Sequence, residues 1–510
     1  MNIQILLPFF IYFLIVIGIG IYATKFSSKG ISEYFLGGRQ MSKFVVALSA
    51  VVSGRSAWLL LGFVGLAYSI GFAAVWTAIG YIIIELLLFL YYAPKIRNFS
   101  EKHDCITVPD YFAARFNDKN GYLRMLIVLV FLIFMIAYIS SQFVAGGKTL
   151  YASFLISDAG GINDFFAFIN ISQQTGWLYI TALIVLIYTI LGGFLAVSLT
   201  DVFQAFFMII ALVALPIYGI IQIGGWDIVL EKLSNLHQIN HHTNNIIDNS
   251  LGNLTNPAAL GFGALIGAIG IGLGSPGSPH IIVRYMSIKD PSQFRWTAIV
   301  GTFWNVLMAA GALFIGLIGR AYFQDVSALP DSDVENVYIL LANEILNPIF
   351  VGLILASIFA AIMSTADSQL LVAASGIVRD IYQKILYKDQ EISQKKLALL
   401  SRIVVSLLVI VAVIIGLLNE DLVFWFVLFA WAGLGAAIGP TSILALFWKK
   451  TSKVGVVAGL LSGTISVFVW KNIEFLKEIM YELVPAFFIA LIFTIVFSLL
   501  FQDKEIDKSK

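Results

Sequence analysis

The sequence predicts an all-α polytopic membrane protein with 13 transmembrane helices, and three observations carry that expectation. Hydrophobic residues fill 59% of the 510 positions and charged residues only 12%, about half the charged share of a soluble chain. Mean hydropathy is +0.92. Thirteen stretches are apolar over the about 20 residues that a bilayer-crossing helix needs. None shows the short polar–apolar alternation of a membrane barrel strand, so helices are left as the way to satisfy the backbone in lipid. The same composition excludes a cytosolic enzyme, whose domains need charged surfaces. A net charge of +1 excludes a nucleic-acid binder, and the lone cysteine, Cys105, excludes a disulfide-stapled secreted protein.

The stretches lie at 5–24, 44–68, 72–94, 124–152, 176–195, 200–224, 257–282, 297–319, 346–374, 403–418, 422–447, 454–470 and 482–501. No basic segment or small-residue cleavage site marks the first as a signal peptide. Of the 31 Lys and Arg, 25 fall in alternate connections, Arg284 among them, 5 in the others, Lys148 included, and Arg55 lies inside a span. Basic residues gather on the cytoplasmic side. The asymmetry predicts an odd number of spans, an outside N-terminus, an inside C-terminus and a short cytoplasmic tail at 503–510. The longest polar connection, 225–256, carries His237, His241 and His242. They have no cysteine or carboxylate at metal-ligand spacing, so the segment reads as a solvated loop. Asn253-Leu254-Thr255 matches a glycosylation sequon, a weak signal in one sequence.

Two spans are interrupted. The second reads Ala50-Val51-Val52-Ser53-Gly54-Arg55-Ser56-Ala57-Trp58. The seventh runs Gly270-Ile271-Gly272-Leu273-Gly274-Ser275-Pro276-Gly277-Ser278-Pro279-His280. Prolines without N–H donors and a high glycine density weaken a helix. Unwound backbone at membrane depth survives where it lines a cavity or is buried in protein. Two broken spans five apart mark the solute site of a transporter built from inverted repeats, here 44–224 and 257–447 within one domain, 1–502. In the ninth span Ala361, Ser364, Thr365 and Ser368 share one helical face, with Asp367 beside it. Their oxygens suit a small hard cation. Asp201 at the start of the sixth span reaches the same region, and carboxylates at membrane depth are functional by default. Glu85 in the third span is a further buried acid.

These residues fall in motifs that resemble the sodium:solute symporter family. They include Gly37-Gly38-Arg39, Trp58-Leu59-Leu60, Val108-Pro109-Asp110-Tyr111-Phe112, Gly192-Gly193-Phe194 with Thr200-Asp201, Pro279-His280, Met363-Ser364-Thr365 and Trp431-Ala432-Gly433. The likeness runs over residues 30–500 and is greatest to the proline-transporting members. It implies a leucine-transporter-like fold with spans 2–6 and 7–11 as repeats. It implies a sodium ion held by the backbone carbonyls of Val52, Arg55 and Ala361 and by Ser364 and Thr365. A second sodium site maps to Asp201, Ser364, Asp367 and Ser368. Solute-binding positions carry over to Trp58, Tyr138 and Pro279, with Ser56 and Ala57 beside them and Ser275 in the span-7 segment.

The chain departs from the proline-transporting pattern. Gly54 stands where an aspartate is found, Arg55 where the residue is uncharged, and Ile271 and Ser275 where aromatics are found. The expected function is sodium-coupled import of a small organic solute, an amino acid such as proline, through a bacterial inner membrane by alternating access. No catalytic residue, nucleic acid or protein partner is implied. One alternative is a sodium-independent exchanger or uniporter with Arg55 in place of the ion. Another is that Arg55 turns away and pairs with Glu85 or Asp367, leaving the carbonyl ligands intact. A transporter-like sensor is a remote third, since no signalling domain follows the last span.

Overall fold

The computed structural model describes residues 3–27, 31–156, 160–191, 193–239, 253–388, 390, 392–418 and 422–502. The predicted tail 503–510 and His241 and His242 lie outside them. Among the described residues the chain is helical throughout, with one isolated bridge between Met41 and Ile288. Eleven helices are long and apolar enough to cross a bilayer, or twelve if a bent pair counts as one span. The expected 13 differ because predicted span 2 is not one helix. Its first half, Lys43–Ser53, is short, and its second half belongs to an apolar run from Trp58 to Lys102 that takes in predicted span 3. At Gly71 that run changes direction: φ is +67°, and a Cβ would meet the Leu254 carbonyl.

Eight helices position the site. They are α1 (Lys43–Ser53), α2 (Tyr122–Ile156), α3 (Phe194–Ile223), α4 (Phe262–Gly270), α5 (Pro279–Ser287), α6 (Phe294–Tyr322), α7 (Pro348–Ser375) and α8 (Val423–Phe447). Helices α7 and α8 form the inside of the bundle, with 83% and 89% of their apolar stretches buried. Ile3–Ala23, Lys396–Leu417 and Lys453–Asn472 are only 33% buried and form the rim that faces lipid.

The seventh span bends where its composition says it should. A tight 3₁₀ turn, Ile271–Gly277, links α4 to α5, and the two halves meet at 56°. Pro276 removes a donor from the turn, and Pro279 opens α5 at a position where no donor is needed. Gly277 packs so closely on the Leu434 carbonyl of α8 that a Cβ would collide with it. The broken segment is therefore wedged against an inner helix.

Candidate functional site

Helix α1 stops at Ser53. Gly54 N–H bonds back to the Val51 carbonyl at 3.1 Å and Arg55 N–H to the Val52 carbonyl at 3.0 Å. Ser56 then takes φ +41°, a left-handed conformation that L-residues seldom adopt. Its hydroxyl accepts the Trp58 N–H at 3.0 Å, while Ala57 N–H reaches the Gln142 side chain of α2 at 3.0 Å. Helix resumes at Trp58–Gly62 as a wide π-type turn. The N–H groups of Gly54, Arg55, Ala57 and Trp58 are thus met inside the protein, as buried non-helical backbone requires.

The hydroxyl face predicted on α7 meets this break. Thr365 Oγ1 donates to the Ser53 carbonyl at 3.1 Å. Ser364 donates to the Ala361 carbonyl at 3.1 Å, and Ser368 to the Ser364 carbonyl at 2.6 Å. Ser368 and Ser53 hydroxyls lie 3.2 Å apart. The carbonyl that receives Thr365 is that of Ser53, next in the chain to the Val52 carbonyl named among the expected ion ligands. The Val52 carbonyl closes a turn onto Arg55, and the Arg55 carbonyl takes the Leu59 N–H at 3.0 Å.

A cation already stands in the expected second ion cluster, and it belongs to the chain. Arg284, counted above with the basic connections, is 1% exposed on α5. Its guanidinium bonds the Ser368 hydroxyl, lies 3.4 Å from Asp201 Oδ2, and donates to Ser49 at 3.1 Å and to the His280 carbonyl at 2.7 Å. Ser49 donates to the same Asp201 oxygen at 2.6 Å and Ser53 at 3.3 Å. Ser368 also lies 3.3 Å from Asp367 Oδ1. Asp201 Oδ1 and Asp367 Oδ2 have no hydrogen-bond partner among the described residues. Of the four residues mapped to the second site, Asp201 and Ser368 meet the Arg284 guanidinium, while Ser364 and Asp367 join them through Ser368.

Beside the break lies a small cavity of ≈ 10 Å³, room for about one water. Arg55, Trp58, Tyr81, Tyr138, Ile271 and Trp431 are among its walls. Of the predicted solute positions, Trp58 and Tyr138 line it. Ser56 joins it indirectly, accepting the Tyr138 hydroxyl at 3.3 Å. Ser275, buried in the span-7 turn, is drawn off to Glu85 Oε1 at 3.1 Å. Ala57 and Pro279 are buried but are not among the residues lining the cavity. Arg55 is ion-paired to Glu85, and its Nε donates to Asn305 Oδ1 at 2.9 Å. Asn305 in turn donates to Glu85 Oε2 at 2.7 Å.

Sequence reasoning did not single out Arg284, Ser49, Tyr81, Asn305 or Gln142. Arg284 sits at the end of an apolar stretch and reads as a connection residue there. Its spacing of four from His280 was the available signal, because it puts the guanidinium over the preceding turn.

Comparison with known proteins gives the family and the fold. Residues 34–463 match the model of the sodium:solute symporter family. The chain is 36% identical over 500 residues to the sodium/proline symporter of Staphylococcus aureus strain NCTC 8325, covering 96% of this chain and 91% of the relative. The fold is similar to that of a Na+-coupled sialic acid symporter solved in a substrate-bound outward-open state. That match has a TM-score of 0.75 at 19% identity and covers 98% of each chain. A second similar structure is MhsT in complex with L-phenylalanine, with a TM-score of 0.54 at 17% identity over 90% of this chain and 98% of that one. The relatives are named as symporters and not as enzymes, and this multi-pass membrane chain belongs to the sodium:solute symporter family.

Proposed function

We propose that the protein imports a small organic solute together with sodium, by alternating access, through a bacterial inner membrane. An amino acid such as proline is the first solute to try, given the 36% identity to a sodium/proline symporter. The observation that carries the reading is the junction of the two predicted elements. The hydroxyl of Thr365 on α7 bonds the last carbonyl of α1, at Ser53. The ion is read as sitting there, on the carbonyls of Val52, Arg55 and Ala361 and the hydroxyls of Ser364 and Thr365. The solute is read as sitting between the broken spans, against Trp58 and Tyr138, with Ser56, Ala57, Ser275 and Pro279 behind the first layer of contacts.

The ion count is read as one. Arg284 supplies a fixed positive charge to Asp201 and Ser368, so Asp201, Asp367 and Ser368 serve a tethered cation instead of a second sodium ion. Arg55 is the weaker choice for a built-in cation, because its guanidinium turns to Glu85 and Asn305. The topology is read as 13 spans with the N-terminus outside. The 45 residues from Trp58 to Lys102 would run about 67 Å as helix, enough for two crossings of a 30 Å core. Residues 44–224 and 257–447 are the two repeats, and 503–510 the cytoplasmic tail. A potential of 100 mV contributes about 2.3 kcal/mol per charge, so one sodium ion supports roughly fifty-fold accumulation before its own gradient is added. The test is uptake of labelled L-proline and other amino acids into proteoliposomes under a sodium gradient. Equal uptake with choline in place of sodium ends the symport reading and favours exchange with Arg284 as the cation.

A further inference from the structure

A second cavity, of ≈ 430 Å³, opens at the end of the bundle that the basic connections assign to the cytoplasm, a volume in the range of small-molecule sites. Three segments wall it: the connection from His103 to Lys119, the start of α2 at Arg124, and Arg379 with Lys384 in the wide helical turn Gly376–Leu386 that continues α7. The chain's own bonds fix these walls. Asp118 accepts the Arg124 N–H at 3.0 Å, which caps the start of α2, and pairs with Lys453 at 2.5 Å. Gly121, at φ +76°, packs against Ile385 and ties the connection to the turn after α7.

Two guanidinium groups line that space with donors to spare. Arg124 meets both Asp110 and Asp380 through the single nitrogen Nη1, so its Nε and Nη2 edge makes no hydrogen bond among the described residues. That edge is the flat two-donor fork that matches a carboxylate. Arg379 spends Nη1 on Gln383 at 2.8 Å and sets Nε 3.6 Å from Asp110 Oδ2, which leaves Nη2. Two of the acids are used up. Asp110 is held by Arg124, Arg379 and the Ile106 N–H at 3.1 Å, and Asp118 by Lys453 and the Arg124 N–H. Asp104 is exposed and makes no ion pair among the described residues. The walls thus carry both signs, Arg124, Arg379, Lys119 and Lys384 against Asp104, Asp110 and Asp118. A doubly charged phosphate would sit beside three carboxylates, whereas a molecule with one charge of each sign answers both.

We propose that this cytoplasmic cavity binds a small zwitterion, a free amino acid, with its carboxylate on the Arg124 and Arg379 guanidinium groups and its ammonium toward Asp104. Such an occupant touches the connection, α2 and the segment after α7 together, and a ligand favours the state that it binds best. It therefore holds the clasp of Arg124 with Asp110 and Asp380 shut, and an amino acid that accumulates inside slows its own import. The site stands on this cavity alone, and only the feedback rests on the transport reading.

Cys105 lines the cavity and is the only cysteine in the sequence, so its labelling reports occupancy in the unaltered protein. Burial pushes its thiol up to about 12, and because the thiolate is the reactive form, modification by N-ethylmaleimide is slow enough to time at pH 8. The full-length protein, purified in detergent, is labelled in choline chloride, which leaves sodium-dependent sites unfilled. The additions are L-proline, L-alanine and L-glutamine, then L-prolinamide, propionate, inorganic phosphate and glycerophosphoethanolamine. At least one amino acid is expected to slow labelling ~3-fold at twice its dissociation constant. Arg379→Gln and Asp104→Asn are each expected to raise the half-protecting concentration at least ~10-fold, the loss of one hydrogen bond to a charged group. Asp104 is exposed, so its variant tests the site without loading the fold. Trp58→Ala, in the wall of the central cavity, should leave protection unchanged. No protection by any amino acid overturns the proposal, as does protection that both cavity variants keep or that Trp58→Ala abolishes. Prolinamide, propionate or phosphate protecting as well as the amino acids overturns the zwitterion. Glycerophosphoethanolamine protecting in their place moves the site to a lipid headgroup and overturns the free solute. Sodium-driven uptake is scored separately: protection without coupled uptake keeps the site and defeats symport, and coupled uptake without protection does the reverse.

Discussion

Arg284→Ala removes the cation bonded to Asp201 among the described residues and leaves that carboxylate in a site 0% exposed. Truncating one member of a buried ion pair costs about 3–5 kcal/mol. Asp201 keeps the hydroxyls of Ser49 and Ser53, at 2.6 and 3.3 Å, so the lower end, about 3 kcal/mol, applies. With an unfolding entropy of about 2.1 cal/mol/K per residue, a cooperative transition of this chain would fall by about 3 °C. That loss is expected in choline chloride. In sodium chloride the vacated oxygens of Asp201, Ser368 and Ser49 can take up an ion. At 100 times its dissociation constant, bound sodium returns about 2.7 kcal/mol, nearly the whole deficit. The assay is a melting series of wild type and variant across sodium concentrations at constant ionic strength, paired with the sodium dependence of uptake. Wild type is expected to show a sodium Hill coefficient near 1, and the variant a second, weaker sodium-dependent stabilisation. A coefficient near 2 in wild type, or a variant that melts identically in sodium and choline, would refute the tethered-cation reasoning.

Thr365→Ala removes the hydroxyl that reaches the Ser53 carbonyl and is expected to raise the sodium concentration for half-maximal uptake at least ~10-fold, the equivalent of one ligand at about 1.4 kcal/mol. The ranking of competing solutes should be kept, and unchanged sodium activation in both Thr365→Ala and Ser364→Ala would remove the α7 site. Trp58→Ala opens a wall of the cavity and is expected to raise the solute half-saturation concentration with the sodium response retained; wild-type kinetics would move the solute site elsewhere. Asp110→Asn breaks a clasp in which Asp110 meets Arg124 at 2.5 Å and Arg379 at 3.6 Å. Burial pushes the Asp110 carboxyl up, but the two guanidinium groups outweigh it and hold it below its ordinary value of 3.8. A depressed carboxylate contributes stability that is present above 3.8 and lost only as pH falls below it. Wild type should therefore melt above Asp110→Asn at pH 5, and equal melting there would contradict the assignment.

Local chemistry was legible in the sequence because it depends on neighbours a few residues away. The run from Gly270 to His280 carries enough glycine and proline to foretell a 56° bend. The spacing of Ala361, Ser364, Thr365 and Ser368 foretold one face on α7, and that face meets the break after Ser53. What a single chain does not encode locally is which distant charge completes which site. Arg284 finds Asp201 across 83 positions, and Arg55 finds Asn305 across 250. Nothing in the period of either helix announces these pairings. Counting Arg284 as a loop cation followed from a sound rule applied to a residue at the end of an apolar stretch. It failed because a carboxylate inside the bundle makes burial of the guanidinium tolerable. That Thr365 bonds the Ser53 carbonyl was hidden for a comparable reason. How far a helix unwinds at a glycine is set by the neighbour it packs against, here Thr365, and composition alone does not fix it.

Helix α2 joins these local facts. Near its start, Arg124 is clamped between Asp110 and Asp380, which extends from the end of α7, and Thr107 donates to Asp380 at 3.0 Å. Near its other end, Lys148 bonds Asp333 at 2.7 Å and Glu335 at 2.8 Å. Glu335 also accepts the Val423 and Phe424 N–H groups at the start of α8, at 3.0 and 2.7 Å. The two clasps are 24 residues apart on one helix, about 36 Å, a little more than the hydrocarbon thickness. Between them α2 presents Tyr138 to the cavity and Gln142 to the unwound Ala57. Both clasps are closed, and the cavity holds no more than about one water. A rod latched at both faces and touching the site at its middle fits the proposed alternating access, in which one face would open at a time.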